Sequence, residues 1–152
     1  MYVERRMIFL EWKLYFVQGL ELLFLGFGSY YDLRDRQIPN WFLFLFACFG
    51  ITGNAVWKYQ KLQEILIGIG IGAVFLLIGW ISGEAIGYGD GLGFLILGLF
   101  GGYRGLVSVL LPAFLLVGIY GFCRVIRRGR MQKEIIPFYP FLFLSLLGVI
   151  VI

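Results

Sequence analysis

The chain carries three aspartates, and two of them, Asp32 and Asp90, fall at the ends of strongly apolar segments. Asp90 stands in Gly87-Tyr88-Gly89-Asp90. A carboxylate at membrane depth is costly and marks a functional site by default. Two aspartates brought to one place can share a single proton, because neighbouring like charges resist joint ionisation. The ionised member then takes a proton from water, and the protonated member donates to a carbonyl oxygen. Water addition to that carbonyl gives a tetrahedral intermediate and breaks a peptide bond. This chemistry needs no metal and no cofactor, in keeping with a chain that has no histidine and nine acidic residues.

Gly87 and Gly89 fit such a site, since glycine permits positive φ and close backbone approach. An aspartate working beside an extended peptide needs both. The plainer alternative is a simple turn, or a helix start with Asp90 as its N-cap. Asp35, flanked by Arg34 and Arg36, reads as a solvated ion pair and is the rival to Asp32 as first acid. Glu84 is a loop charge or a contact for a basic substrate. Glu21 falls mid-segment, either neutral or paired with Gln18, and is given no role.

The elements that must hold these groups are membrane helices. The 152 residues are 61% hydrophobic and 14% charged, with mean hydropathy +0.89. A soluble domain is about half apolar and about a quarter charged. A crossing helix needs about 20 apolar residues. Residues 14–31, 41–57, 62–81, 106–123 and 135–152 qualify as segments. The fourth is odd: 92–100 is too short, and extending it to 87–102 takes in Asp90. Irregular backbone at that depth is tolerated only in protein or along a cavity. The expected fold is an all-α polytopic membrane protein of about six helices, the fourth short, as one domain over 1–152.

Trp41, Trp57, Trp80, Tyr59 and Tyr103 lie near segment ends, as interfacial aromatics do. Gly68-x-x-x-Gly72 and Gly98-x-x-x-Gly102 allow close helix approach and read as internal packing, not as a dimer motif. Cys48 and Cys123 lie in apolar runs and act as small apolar side chains. Two thiols without histidine build no four-ligand zinc site. The first apolar run, broken by Glu11 and Lys13, does not read as a cleavable signal.

Six crossings would put Arg34, Arg36, Arg124, Arg127, Arg128, Arg130 and Lys133 on one face, together with both aspartates. Arg5, Arg6, Lys13, Lys58, Lys61 and Arg104 take the other. The dense cluster within 124–134 assigns the aspartate face to the cytoplasm. The +4 net charge reflects topology, with anionic lipid contact as a secondary role, and implies no nucleic acid. The first dozen residues could instead lie along the interface.

Three motifs stand in order: Asp32-Leu33-Arg34-Asp35-Arg36-Gln37-Ile38-Pro39-Asn40, then Gly87-Tyr88-Gly89-Asp90-Gly91-Leu92, then Ile136-Pro137-Phe138-Tyr139-Pro140-Phe141. Together they resemble the type IV prepilin peptidase family, the GxGD intramembrane aspartyl proteases, over about residues 15–150. The resemblance implies that Asp32 and Asp90 are the catalytic pair, with Asp32 rather than Asp35 at the family's distance from Ile38-Pro39-Asn40. It also implies a site at the cytoplasmic face of the cell membrane. Substrates would be prepilin-like or pseudopilin-like precursors, cut after a short basic leader. The chain departs from the pattern in two places. Many relatives carry a lysine shortly after the motif aspartate, where Gly91-Leu92-Gly93 stands here. The cysteine-rich segment of the long, N-methylating enzymes has no counterpart, so the expected enzyme is a peptidase without methyltransferase activity.

Two rival readings remain at this level. One is a small transport or channel subunit in which Asp90 and Glu21 bind a cation or relay protons, since broken helices line ion sites. The other is an inactive homologue, on the residues after Asp90.

Overall fold

The computed structural model describes residues 2–58, 60–82, 87–128 and 136–152, with the side chains of those from residue 11 onward except Arg128. Five helical elements follow in order: α1 (Tyr2–Arg34), α2 (Asn40–Trp57), α3 (Leu62–Ile81), α4 (Tyr88–Arg128) and α5 (Tyr139–Val151). No strand occurs among the described residues, so the fold is all-α as expected.

α4 is a hairpin, not a rod. At Gly102 the backbone takes φ +61° and ψ −168° and leaves the helical path. Phe94 and Phe114 have ring centroids 6.4 Å apart. Twenty residues of straight helix would separate them by about 30 Å. The chain therefore reverses, giving a first arm, 88–101, and a second arm, 103–128. The first arm is about 21 Å long, short of a bilayer core of about 30 Å. This is the short fourth helix the sequence foreshadows. The dihedrals of Gly102 are open only to glycine, at a cost of about 1–3 kcal/mol for other residues. A Cβ there would also meet Gln60 Oε1 at 3.0 Å. Gly102→Ala is expected to lower the unfolding midpoint in detergent by that amount of stability; an unchanged midpoint would refute the turn.

α3 runs antiparallel to the first arm, backbone against backbone. A Cβ on Gly68 would lie 2.9 Å from the Gly98 carbonyl oxygen, and one on Gly72 would lie 2.6 Å from Leu95 Cα. Further along, Gly91 rests on the Leu76 side chain. The buried residues of α3 are Gly68, Gly72 and Gly79. Both small-residue motifs thus serve internal packing. α5 docks on the second arm, where Ser145 Oγ donates to the Val109 carbonyl at 2.6 Å. The core collects Phe24 and Leu25 from α1, Phe42 and Phe46 from α2, Phe94, Leu97, Phe100 and Leu106 from α4, and Tyr139 and Leu142 from α5.

The outside is apolar. Trp12, Phe44, Leu62, Ile81, Phe122 and Val151 are exposed, a surface that water does not tolerate at this extent and a bilayer does. Cys48 and Cys123 lie on this exposed surface. Asn40–Trp57, Leu62–Ile81 and Tyr88–Arg127 are long and apolar enough to cross a membrane, with Tyr139–Val151 a shorter apolar helix. The protein is membrane-embedded and polytopic.

Two boundaries differ from expectation. α1 continues back to Tyr2, because no glycine or proline interrupts the first 18 residues, so 2–13 extend the first helix. α1 also falls short of the apolarity of the three crossing helices, since Gln18, Glu21 and Ser29 dilute 14–31. Glu21 and Ser29 are buried in the bundle, out of contact with lipid. The last helix starts at Tyr139, not at 135, because Pro137 cannot continue a helix and Pro140 fits only a first turn.

Candidate active site

Asp32 sits in the last turn of α1 and Asp90 in the first turn of the first arm. The fold brings these two helix ends together at one end of the bundle. Asp32 is 8% exposed. Its Oδ2 accepts the Tyr139 backbone N–H at 3.0 Å, and the Phe138 amide is also directed at it. Asp32 thus faces the N-terminus of α5, where free N–H groups and the helix dipole favour negative charge. Arg36 lies within electrostatic range of it.

Asp90 is the third residue of its helix, so it is not the N-cap. The capping position belongs to Gly87, whose carbonyl accepts the amides of Asp90 at 3.0 Å and Gly91 at 3.2 Å. The Asp90 carboxylate folds back over that glycine: a Cβ on Gly87 would lie 3.2 Å from Asp90 Oδ2. Asp32 and Asp90 are within electrostatic range of each other, and both act on the Tyr139 hydroxyl.

The remaining motif residues frame the pair. Ile38 packs against Gly89, its side chain 3.7 Å from where a Cβ would stand. Pro39 caps α2, its carbonyl accepting the amides of Phe42 and Leu43, and Asn40 opens that helix on the surface. Tyr88, between Gly87 and Gly89, is exposed. Gly91 lies level with Leu76, while α3 stays apolar five residues further to Ile81. The aspartates therefore sit about a turn below the end of α3.

Other candidates separate from this cluster. Asp35 is exposed and pairs loosely with Arg34 Nε at 3.9 Å, the solvated pair expected of it. Glu21 is buried beside Gly101, next to the turn of the hairpin. Glu84 and the basic positions Arg130 and Lys133 lie outside the described residues. The group that sequence reasoning leaves without a role is Tyr139, the middle residue of Pro137-Phe138-Tyr139-Pro140-Phe141. The motif marks the place but not the contacts.

The chain is similar to a prepilin leader peptidase/N-methyltransferase from Xanthomonas campestris pv. campestris, 27% identical over 120 residues. That stretch is 75% of this chain and 42% of the relative, so the chain spans less than half of the relative's length. No solved structure matches the chain. The family model described as the type IV leader peptidase family matches residues 20–122, a stretch that contains both Asp32 and Asp90. By that match the chain belongs to the type IV leader peptidase family.

Proposed function

We propose that this protein is an aspartic endopeptidase of the cell membrane that removes the leader from prepilin-like or pseudopilin-like precursors. The observation that carries the reading is the convergence of Asp32 and Asp90, 58 residues apart in sequence, at one end of the bundle. Two main-chain N–H groups and the α5 N-terminus favour charge on Asp32. That leaves Asp90 to carry the shared proton. Asp32 then takes a proton from the attacking water, and Asp90 protonates the scissile carbonyl oxygen. Collapse of the tetrahedral intermediate returns a proton to the leaving amine. Gly87 and Gly89 leave room for the extended substrate backbone, with Tyr88, Ile38, Pro39 and Asn40 framing the approach. The dense run of basic residues within 124–133 supports a site facing the cytoplasm.

The ion-relay reading fits this arrangement poorly. Glu21 abuts Gly101 and Asp90 begins the same arm, about 16 Å away along the helix. Glu21→Gln is expected to leave cleavage at the wild-type rate, and loss of cleavage in that variant without loss of fold would favour the relay. The deciding experiment is cleavage of a panel of prepilin-like precursors by the purified protein in liposomes, beside Asp90→Asn. Product from wild type alone supports the peptidase; equal product from both refutes it.

A further inference from the structure

Tyr139 belongs to neither aspartate motif, yet it touches both. Its backbone N–H donates to Asp32 Oδ2 at 3.0 Å, 107 residues away in sequence. Its hydroxyl donates to the Gly89 carbonyl at 2.9 Å, 50 residues away. Gly89 immediately precedes Asp90, so this hydroxyl holds the peptide unit that joins the two residues. The side chain is fully buried. Its ring lies between Gly28 of α1 and Gly93 of the first arm. A Cβ on Gly28 would lie 2.5 Å from the ring, and one on Gly93 would collide with the phenol oxygen. The two glycines leave a slot of one ring's thickness between the helices that carry Asp32 and Asp90. Phe24 adds an edge-on contact at 6.1 Å between centroids.

A tyrosine that served only as core filling would need some acceptor for its hydroxyl, and any nearby carbonyl would do. Here the acceptor is the carbonyl next to one aspartate, while the same residue's amide holds the other. We propose that Tyr139 is a positioning residue of the peptidase site, a strut whose amide fixes the Asp32 carboxylate and whose hydroxyl fixes the Gly89 carbonyl that precedes Asp90. The inference rests on the aspartate-pair reading above. Tyr139 contacts neither the water nor the scissile bond; it sets the distance between the two groups that do. The charged groups facing it are Asp32 from α1 and Asp90 from α4, with Arg36 beyond Asp32.

Tyr139→Phe isolates the hydroxyl, because the ring, the slot and the backbone amide all stay. For cleavage of a prepilin-like precursor, the variant is expected to lose about tenfold to a hundredfold in kcat, with KM unchanged. Its unfolding midpoint in detergent should stay close to that of wild type. A kcat equal to wild type overturns the proposal. So does a loss of kcat matched by loss of folded protein, which is what a purely structural tyrosine would produce. A second readout needs no substrate. The infrared band of the protonated carboxyl, assigned with Asp32→Asn and Asp90→Asn, is titrated in wild type and in Tyr139→Phe. The midpoint is expected to move by about half a pH unit or more, since the hydroxyl acts at the turn carrying one acid. An unmoved midpoint overturns the strut. If wild type cleaves nothing in the panel, the peptidase reading fails by itself, and the infrared midpoint still decides the role of Tyr139.

Discussion

Asp90→Asn and Asp32→Asn are each expected to lower cleavage of a prepilin-like precursor by at least about 10³-fold while leaving the protein folded. Asparagine keeps the size and shape of aspartate but carries no titratable proton. At position 90 it cannot deliver a proton to the scissile carbonyl. At position 32 it cannot take one from water. The fold should survive both changes. In Asp32→Asn the side chain retains an oxygen for the Tyr139 amide, which lies 3.0 Å from Asp32 Oδ2 in the wild type. Asp90 is held in place by its own backbone, through the Gly87 carbonyl. The measurement is single-turnover cleavage in liposomes, beside thermal unfolding of the same preparations. Either variant keeping more than about a tenth of wild-type activity would refute the paired-aspartate mechanism. Asp35→Asn is the internal control: an exposed side chain in a loose pair should leave the rate unchanged.

The second large effect is on stability, at the seam between α3 and the first arm. A Cβ on Gly98 would lie 2.6 Å from Gly68 C and 2.7 Å from its carbonyl oxygen. Both atoms are main chain, so no rotamer change relieves the overlap and the helices must part. Overpacking of this kind costs about 1–3 kcal/mol. Phe75 also anchors α3, on the rings of Phe94 and Phe114, but the residues of α3 that are fully buried are its glycines. Gly98→Ala is therefore expected to destabilise the protein by about 2–3 kcal/mol, read as a lower unfolding midpoint in detergent. Gly70→Ala is the matched control, on the same helix pair but with open space where the Cβ would stand. It should be neutral or slightly stabilising, because alanine is the better helix former. Equal midpoints for the two variants would refute the backbone seam. The first arm also carries Asp90 in its first turn, so cleavage should fall in Gly98→Ala beyond the loss of folded protein.

Much of this arrangement is legible in local patterns. Runs of apolar residues announce membrane helices because a helix must satisfy its backbone polar groups internally. A carboxylate closing such a run stands out because its cost there is high. The small residues spaced four apart on α3 and α4 point to close contact, and Gly68, Gly72 and Gly98 make it. Other features are not legible. Gly102 is one glycine among 22, and nothing beside it distinguishes the residue that reverses the chain from those that merely pack. The extension of α1 back to Tyr2 is hidden because charged residues end an apolar run without ending a helix. Glu21 reads as a possible partner for Asp90, yet the fold buries it beside the hairpin turn, at the far end of the arm.

Residue types and short spacings were enough to specify the class of the protein, the order of its apolar segments, and two candidate aspartates, with glycines flanking Asp90. A helix expresses such properties wherever it sits. The packed bundle adds that Asp32 faces the start of α5, that Ile38 rests on Gly89, and that Tyr139 reaches both aspartate motifs. The two Tyr139 contacts join residues 50 and 107 positions apart. Which amide meets which carboxylate depends on how the helices stack, and stacking is set by the shapes of whole faces. A tyrosine in the slot between Gly28 and Gly93 becomes a strut only when both helices are already in place.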